Sequence, residues 1–135
     1  MLAIDFDDTL NFSYEKHKPF IPNEDLIYIL KDKKFLILTA RNSTVENIDQ
    51  INKFIKEYNI VPEKIIFTEN KEKGSFLKDL SEKYEISTLV DDKEYQRNSA
   101  ESAGFVAYHP NDFVEKYLKK ESRYKKIKKI YNFGA

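Results

Sequence analysis

The chain of 135 residues contains no cysteine and only two histidines, His17 and His109. Without cysteine it can form no disulfide, no thiolate nucleophile and no cysteine-ligated zinc site. With two histidines, a multi-histidine metal site or a Ser-His-Asp triad is also disfavoured. Any catalysis is therefore expected to use carboxylates, hydroxyls and amines, together with at most a hard metal ion.

Long hydrophobic runs are missing as well. No segment reaches the roughly 18 apolar residues of a membrane span, and the charged start of the chain is unlike a signal peptide. The composition is 41% hydrophobic and 14% aromatic, which is enough to form a core. We therefore expect one domain, residues 1–135, that is cytoplasmic and has no contact with membranes.

Short β-branched or aromatic runs alternate with longer amphipathic stretches along the chain. Strands are predicted at 2–7, 35–39, 64–68, 88–90 and 105–108. Helices are predicted at 22–33, after 43, at 73–84, at 93–103 and from 111 or 112 onwards. This alternation is typical of βαβ units, so we predict an α/β fold of three Rossmann-like layers: a parallel sheet with helices on both faces.

The second helix carries two local signals. Ser43 and Glu46 match the S-x-x-E capping box, which predicts that Ser43 caps this helix. Helical spacing predicts an apolar face made of Val45, Ile48, Ile51 (or Asn52), Ile55 and Tyr58.

Polar residues follow three of the predicted strands. They are Asp5, Asp7, Asp8 and Thr9 in the first case, Thr39, Ala40 and Arg41 in the second, and Asp91 and Asp92 in the third. Any one of these positions could be a helix cap or turn. In a parallel sheet, however, ligands bind beyond the carboxyl ends of the strands, where the strand order reverses. The three groups would meet there if the first strand lay between the second and the fourth.

Several carboxylates that face one pocket repel each other unless a positive charge lies among them. Mg²⁺ suits an all-oxygen site completed by water and phosphate, whereas zinc prefers nitrogen and sulfur ligands. A lysine would add a second positive charge, and Lys73, at the start of the third helix, is placed for it. Lys71 and Lys78 lie close by in the sequence and remain alternatives.

The motifs resemble those of the haloacid dehalogenase (HAD) superfamily of phosphohydrolases. Residues 5–9 match its D-x-D-x-T signature, and 35–39 resembles its second motif, an apolar strand that ends in Ser or Thr. The lysine that opens 73–77 resembles the third motif, and the acid pair that ends 89–92 resembles the fourth. The resemblance implies a five-stranded parallel sheet in the order 3-2-1-4-5. The short intervals between motifs predict no cap domain, apart from a flap at 10–21.

The resemblance also implies catalytic roles. Asp5 would be the nucleophile that forms an aspartyl phosphate, and Asp7 would be the general acid and base. Thr39 and Lys73 would hold the phosphoryl oxygens. The substrate would also meet the backbone N–H groups of Asp8 and Ala40, with Thr9 and Arg41 close by.

The implied metal is Mg²⁺. Its ligands would be Asp5, the backbone carbonyl of Asp7, and Asp91 or Asp92, and the choice between the last two stays open. The resemblance therefore predicts a Mg²⁺-dependent phosphomonoesterase.

The substrate is less well defined by the sequence. The Thr39-Ala40-Arg41 turn is similar to the Ser-x-Arg turn of the 3′-phosphatase domain of phage polynucleotide kinase, which is also capless. Arg41 could then contact a second phosphate. This favours nucleotides or nucleic-acid 3′-phosphate ends. The alternatives are a small-metabolite or sugar phosphatase with a lid supplied by another subunit, and an inactive binding module. A receiver domain is disfavoured, because its acceptor aspartate would have to follow the third strand.

The C-terminal stretch is strongly basic. Residues 119–135 include seven basic residues and a single acid, Glu121. We predict a basic helix over 111–135 that docks on the core, attracts nucleic acid or forms a dimer contact, so a monomer and a homo-oligomer both remain open.

Overall fold

The computed structural model describes residues 1–13 and 19–131, with side chains up to residue 120. Its five strands form one parallel sheet in the order β3-β2-β1-β4-β5, which confirms the predicted order. The strands are β1 (Leu2–Ile4), β2 (Phe35–Thr39), β3 (Ile65–Phe67), β4 (Thr88–Val90) and β5 (Val106–Tyr108).

A helix follows each strand, as predicted. The helices are α1 (Glu24–Leu30), α2 (Val45–Tyr58), α3 (Lys73–Tyr84), α4 (Glu94–Ser102) and α5 (Pro110–Tyr131). Within the described residues, no helix combines the length and the apolar character that a membrane span requires.

The sheet separates two hydrophobic cores. Along β2, Phe35 and Ile37 belong to one core, and Leu36 and Leu38 belong to the other. This alternation follows from the two-residue period of a strand. Side chains of α1, α2 and α5 pack in the first core, and those of α3 and α4 in the second. The result is the three-layer arrangement predicted from the sequence.

Helix α2 differs from the prediction in its cap and in part of its buried face. Thr44, not Ser43, caps it, because the Thr44 hydroxyl accepts from the Asn47 N–H at 3.2 Å. The Ser43 hydroxyl instead donates to Glu69 at 3.0 Å. The predicted face begins too early: Val45 is 74% exposed.

The centre of this helix face is Phe54, which the predicted stripe omitted. Its ring lies 5.1 Å from that of Phe6 and 5.2 Å from that of Phe20, both edge-on. Such aromatic pairs add about 0.5–1.5 kcal/mol beyond their burial. Phe54 therefore joins α2 to the turn that follows β1.

Strand β1 ends at Ile4, three residues earlier than predicted. Asp5 nevertheless continues the pairing, since its N–H donates to the Val90 carbonyl at 2.9 Å. The chain then turns, with Asp8 in the left-handed region at φ 57°. The turn after β1 thus places several aspartates at the carboxyl ends of the central strands.

The two ends of the predicted flap at 10–21 are held together. Leu10 is fully buried in the first core, and the Phe12 N–H donates to the Ile21 carbonyl at 2.8 Å. Residues 14–18 of the flap, and 132–135 of the predicted C-terminal helix, lie outside the described residues. Within α5, Phe113 and Val114 pack against the first core.

Candidate active site

The predicted site lies at the carboxyl ends of the central strands. Strand β1 pairs with β2 on one side and β4 on the other, with Ile4 opposite Val90. The next residues, Asp5 and Asp91, are therefore neighbours across the strand ends. Lys73 is the first residue of α3 and reaches both carboxylates. The topology thus brings together residues that are far apart in the sequence.

Lys73 forms a buried ion cluster with Asp5 and Asp91. Its Nζ lies 2.8 Å from Oδ1 of Asp5 and 2.5 Å from Oδ2 of Asp91. The side chain of Lys73 is 1% exposed, and that of Asp91 is fully buried. Because charges are costly to bury unless they are paired, each of these groups depends on the others.

The electrostatics of this cluster show an excess of negative charge. Burial raises the pKa of Asp5 well above its ordinary value of 3.8; the Lys73 charge opposes this shift and the Asp91 charge adds to it. Burial alone would lower the pKa of Lys73, but the attraction of Asp5 and Asp91 outweighs it and raises that pKa. One ammonium group therefore serves two carboxylates.

A third carboxylate completes a group able to bind a cation. One carboxylate oxygen from each of Asp5, Asp91 and Asp92 lies within 4.8 Å of the others. The Thr9 hydroxyl is 3.4 Å from Asp5 and 3.5 Å from Asp92, so it bridges two of them. These all-oxygen donors fit a hard divalent ion such as Mg²⁺.

The cluster opens into a cavity of about 190 Å³. Five aspartates and two lysines are among the residues that line it, so these groups carry a net charge of −3 when all are ionised: Asp5, Asp7, Asp8, Asp91, Asp92, Lys73 and Lys93. This surplus would attract a cation. The carboxylate of Asp7 lies outside the three-aspartate group, which is compatible with the predicted metal contact through its backbone carbonyl.

The side chain of Asp7 is held by Arg41. Nε of Arg41 donates to one carboxylate oxygen at 2.8 Å, and Nη2 donates to the other at 2.7 Å. Nη1 donates to Asn47 at 3.3 Å and also to Gln50, and the guanidinium stacks 5.1 Å from the Phe6 ring. Arg41 thus contacts Asp7, and its contact with a second phosphate stays a prediction.

The predicted phosphoryl contacts are only partly assembled at the cavity. Ala40 and Asp8 line it, but the Asp8 N–H donates to the Asn11 carbonyl at 2.9 Å and not into the cavity. Partial burial raises the pKa of the Asp8 carboxyl, and the nearby Asp92 adds to this. Thr39 is fully buried, and its hydroxyl accepts from the Arg41 N–H at 3.3 Å.

Four cavity residues were not predicted: Asn70, Lys93, Tyr95 and Gln96. Gln96 is 1% exposed, and its Oε1 accepts from the Lys73 N–H at 2.8 Å, which fixes the start of α3. The Asn70 N–H donates to the Ala40 carbonyl at 2.8 Å and ties two site loops together. The sequence does contain a signal for Gln96. It lies on the same helix face as Ala100, so a polar residue occupies a position that faces the core.

Comparisons with known proteins support the fold. No protein-family model matches this chain, and no curated protein matches it. It is similar to a chain in the structure of the Pnkp1/Rnl/Hen1 complex, with 16% identity and a TM-score of 0.59 over 80% of this chain and 44% of that one. A chain in the structure of the Pnkp1/Rnl/Hen1 RNA repair complex gives 16% identity and a TM-score of 0.63 over 80% and 41%. The present chain thus matches less than half the length of either neighbour, and at this identity the likeness is one of fold.

Proposed function

We propose that this protein is a Mg²⁺-dependent phosphomonoesterase of the HAD type, with Asp5 as its nucleophile. One observation carries the proposal: a buried carboxylate, Asp5, lies beside Lys73 and two further carboxylates at the reversal point of a parallel sheet. Ligand sites of open α/β sheets are found at this point. An aspartate buried only to support the fold would not need a surplus of neighbouring negative charge.

The first chemical step transfers the phosphoryl group to Asp5. Its Oδ2, the oxygen that Lys73 does not contact, attacks phosphorus as the ester P–O bond breaks. The leaving oxygen takes a proton from Asp7 and departs as an alcohol or nucleoside hydroxyl, and Asp7 is left as a carboxylate. Lys73 stays near the reacting group and offsets the charge of the phosphoryl oxygens, as fixed cations do in phosphoryl transfer.

The second step releases phosphate and restores the enzyme. Water attacks phosphorus, the bond to Asp5 breaks, and Asp7 receives the proton that the water loses. Asp7 can act in both steps only if its carboxyl group is correctly placed. Both Asp7 oxygens accept from Arg41; when one of them carries the proton, the other keeps its hydrogen bond to Arg41, so Arg41 is proposed as a positioning residue.

The remaining parts bind the metal and the phosphoryl group. Asp5, Asp91 and Asp92 would hold Mg²⁺, which supplies positive charge beside the phosphoryl oxygens when it is bound. The Thr39 hydroxyl and the Ala40 N–H are proposed to contact the same oxygens. Thr39 is the last residue of β2 and Ala40 follows it, so both contacts would come from the carboxyl end of this strand.

For the substrate we propose a phosphorylated nucleic-acid end. Two structural neighbours belong to a Pnkp1/Rnl/Hen1 complex, one of them described as an RNA repair complex. The turn at Thr39-Ala40-Arg41 points to the same class, since it is similar to that of a polynucleotide 3′-phosphatase. A soluble cytoplasmic location agrees with such a substrate and remains a prediction.

Phosphate release from a panel of esters tests the proposal. The panel contains an aryl phosphate, mononucleotides, sugar phosphates, and RNA oligonucleotides phosphorylated at the 3′ or the 5′ end. We expect release that needs Mg²⁺, stops with EDTA and is lost in Asp5→Asn. Asp32→Asn is the control, because Asp32 is exposed in the turn before β2. A fully active Asp5→Asn would overturn the mechanism, and an inactive wild-type protein would point to the binding module.

A further inference from the structure

A second cavity adjoins the candidate active site. It is a groove of about 580 Å³ between α3 and α4, within the range of small-molecule sites. The active-site cavity is about 190 Å³, which suits a phosphoryl group and a metal ion but not the rest of a nucleotide. Tyr95 lines both cavities, so the two adjoin at this residue.

The floor of this α3–α4 groove is fixed by close helix packing. The Gly74 N–H donates to the Ser99 hydroxyl at 3.0 Å. A Cβ atom added at Gly74 would lie 2.4 Å from the Ser99 carbonyl oxygen, which is closer than real Cβ contacts. The two helices therefore touch through a glycine, and the groove beside this contact is a built feature of the fold.

Tyr95 is an exposed aromatic residue with a fixed position. It is 54% exposed, yet its hydroxyl accepts from Nε2 of Gln96 at 3.2 Å. Gln96 is buried and also accepts from the Lys73 N–H. Two hydrogen bonds therefore connect the tyrosine to the residue that contacts Asp5, so its ring is held at a set place relative to the phosphoryl site.

The charge and polarity of the groove indicate what it binds. The groove is lined by one positive side chain, Lys78, and one negative side chain, Glu72, so its formal charge is zero. A neutral groove does not favour the binding of a second phosphate. Among the described residues, none hydrogen-bonds to the side chains of Asn98 and Ser102, so both can meet a ligand. A nearly neutral groove that combines apolar surface, polar groups and an aromatic ring suits a nucleobase, which has a flat face and hydrogen-bonding edges.

We infer that the α3–α4 groove binds the nucleoside that carries the scissile phosphate, with its base stacked on Tyr95. This rests on the proposed function and sharpens it, because a sugar phosphate has no flat face to stack. Stacking on an aromatic side chain is sequence-tolerant, since every base has a π-face. The site would therefore select nucleotides over other phosphate esters without selecting one base.

The test compares two substrates with each variant. We measure kcat/KM for a short 3′-phosphorylated RNA oligonucleotide and for glycerol 2-phosphate, and take their ratio. From the usual strength of base stacking, Tyr95→Ala should lower this ratio about 5- to 150-fold. Tyr95→Phe keeps the ring but loses the hydrogen bond from Gln96, so its ratio should lie between those of the wild type and Tyr95→Ala. Tyr28→Ala is the matched control: Tyr28 is 56% exposed and lines a separate cavity.

The outcomes separate this inference from the proposed function. If the wild-type protein is active and the ratio is unchanged in Tyr95→Ala, the proposed nucleoside site in the groove is refuted, whereas the proposed phosphatase activity is retained. If Tyr95→Ala does not fold, Asn98→Leu places a branched side chain without a flat face in the groove from an exposed position, and a fall in the ratio is again expected. If the wild-type protein hydrolyses neither ester, the proposed function fails. Fluorescence anisotropy with the labelled oligonucleotide then tests whether the groove binds the nucleoside. Weaker binding by Tyr95→Ala than by the wild-type protein supports this site, and equal binding refutes it.

Discussion

Replacing the proposed nucleophile should make the protein more stable while it abolishes activity. Asp5 is 5% exposed and shares the one ammonium group of Lys73 with Asp91. In Asp5→Asn, Lys73 and Asp91 would form a neutral buried pair. The asparagine has nearly the same shape, and its carbonyl oxygen can still accept from Lys73. The change removes a buried charge without creating a cavity, and the new amide NH2 group would face the Thr9 hydroxyl, whose oxygen can accept from it.

The size of this effect follows from the mechanism. Single stabilising substitutions commonly contribute about 0.5–2 kcal/mol, which is the range expected for Asp5→Asn, and about 1 kcal/mol moves the Tm of a chain of this size by roughly 4 °C. The opposite change, Lys73→Met, leaves two buried carboxylates without their cation. It should destabilise the protein by about 3–5 kcal/mol.

The gain in Asp5→Asn should also depend on pH. Because the folded pKa of Asp5 is raised, the wild-type fold favours the protonated carboxyl. The stability that Asp5 contributes is complete below its ordinary pKa of 3.8 and is lost as the pH rises through the folded pKa. Asp5→Asn should therefore be more stable than wild type at pH 7.5 and should lose that advantage near pH 4.

Urea denaturation in EDTA at both pH values measures this difference, since the chelator keeps metal ions from the carboxylates. Asp32→Asn serves again as the control and should change the free energy of unfolding by less than about 0.5 kcal/mol. A less stable Asp5→Asn at pH 7.5, or a gain of the same size at both pH values, would refute the reasoning.

Three further predictions follow from other contacts. Arg41→Lys loses the paired hydrogen bonds to Asp7 and should lower kcat for an alkyl phosphate about 10- to 100-fold. The loss should be smaller for p-nitrophenyl phosphate, because its leaving group needs no proton, and an equal loss of kcat on both substrates would contradict a role through Asp7. Mg²⁺ at 100 times its Kd should stabilise the wild-type protein by about 2.7 kcal/mol in thermal melts, and Asp91→Asn should show little of this; an equal shift in both would place the metal elsewhere. Gly74→Ala should cost about 1–3 kcal/mol in urea denaturation, because its Cβ meets the Ser99 carbonyl; an unchanged midpoint would contradict the close packing.

The fold and the centre of the site were predictable because both depend on local patterns. Short apolar runs in the sequence predict buried strands. In a parallel sheet, the residues that directly follow these strands must lie together at the carboxyl ends of the strands. Asp5 and Asp91 therefore meet for topological reasons, and Lys73 meets them as the first residue of the next helix. Lys73 lines this cavity, whereas Lys71 and Lys78 are not among its lining residues; the role of Lys73 toward the phosphoryl group stays a prediction.

The partners of individual side chains were not predictable. Spacing places Arg41 near the site, but it does not indicate whether a guanidinium turns to a phosphate or to the Asp7 carboxylate. The apolar pattern of α2 predicts which face of the helix is buried, but it does not indicate at which residue the packing begins. Phe54 is fully buried, whereas Val45 is exposed. Such choices depend on neighbours that are distant in the sequence.

The central claim is that a phosphoryl group passes through Asp5, and one measurement tests it most directly. Asp7→Asn should slow the release of the phosphoryl group from Asp5, since it removes the base that activates water. With p-nitrophenyl phosphate and Mg²⁺, the first step needs no proton from Asp7, so the intermediate should accumulate. Mass spectrometry of the acid-quenched protein should then find the phosphoryl group on the peptide that contains Asp5. A burst of p-nitrophenol with no phosphorylated peptide, or with the group on another residue, would contradict the account.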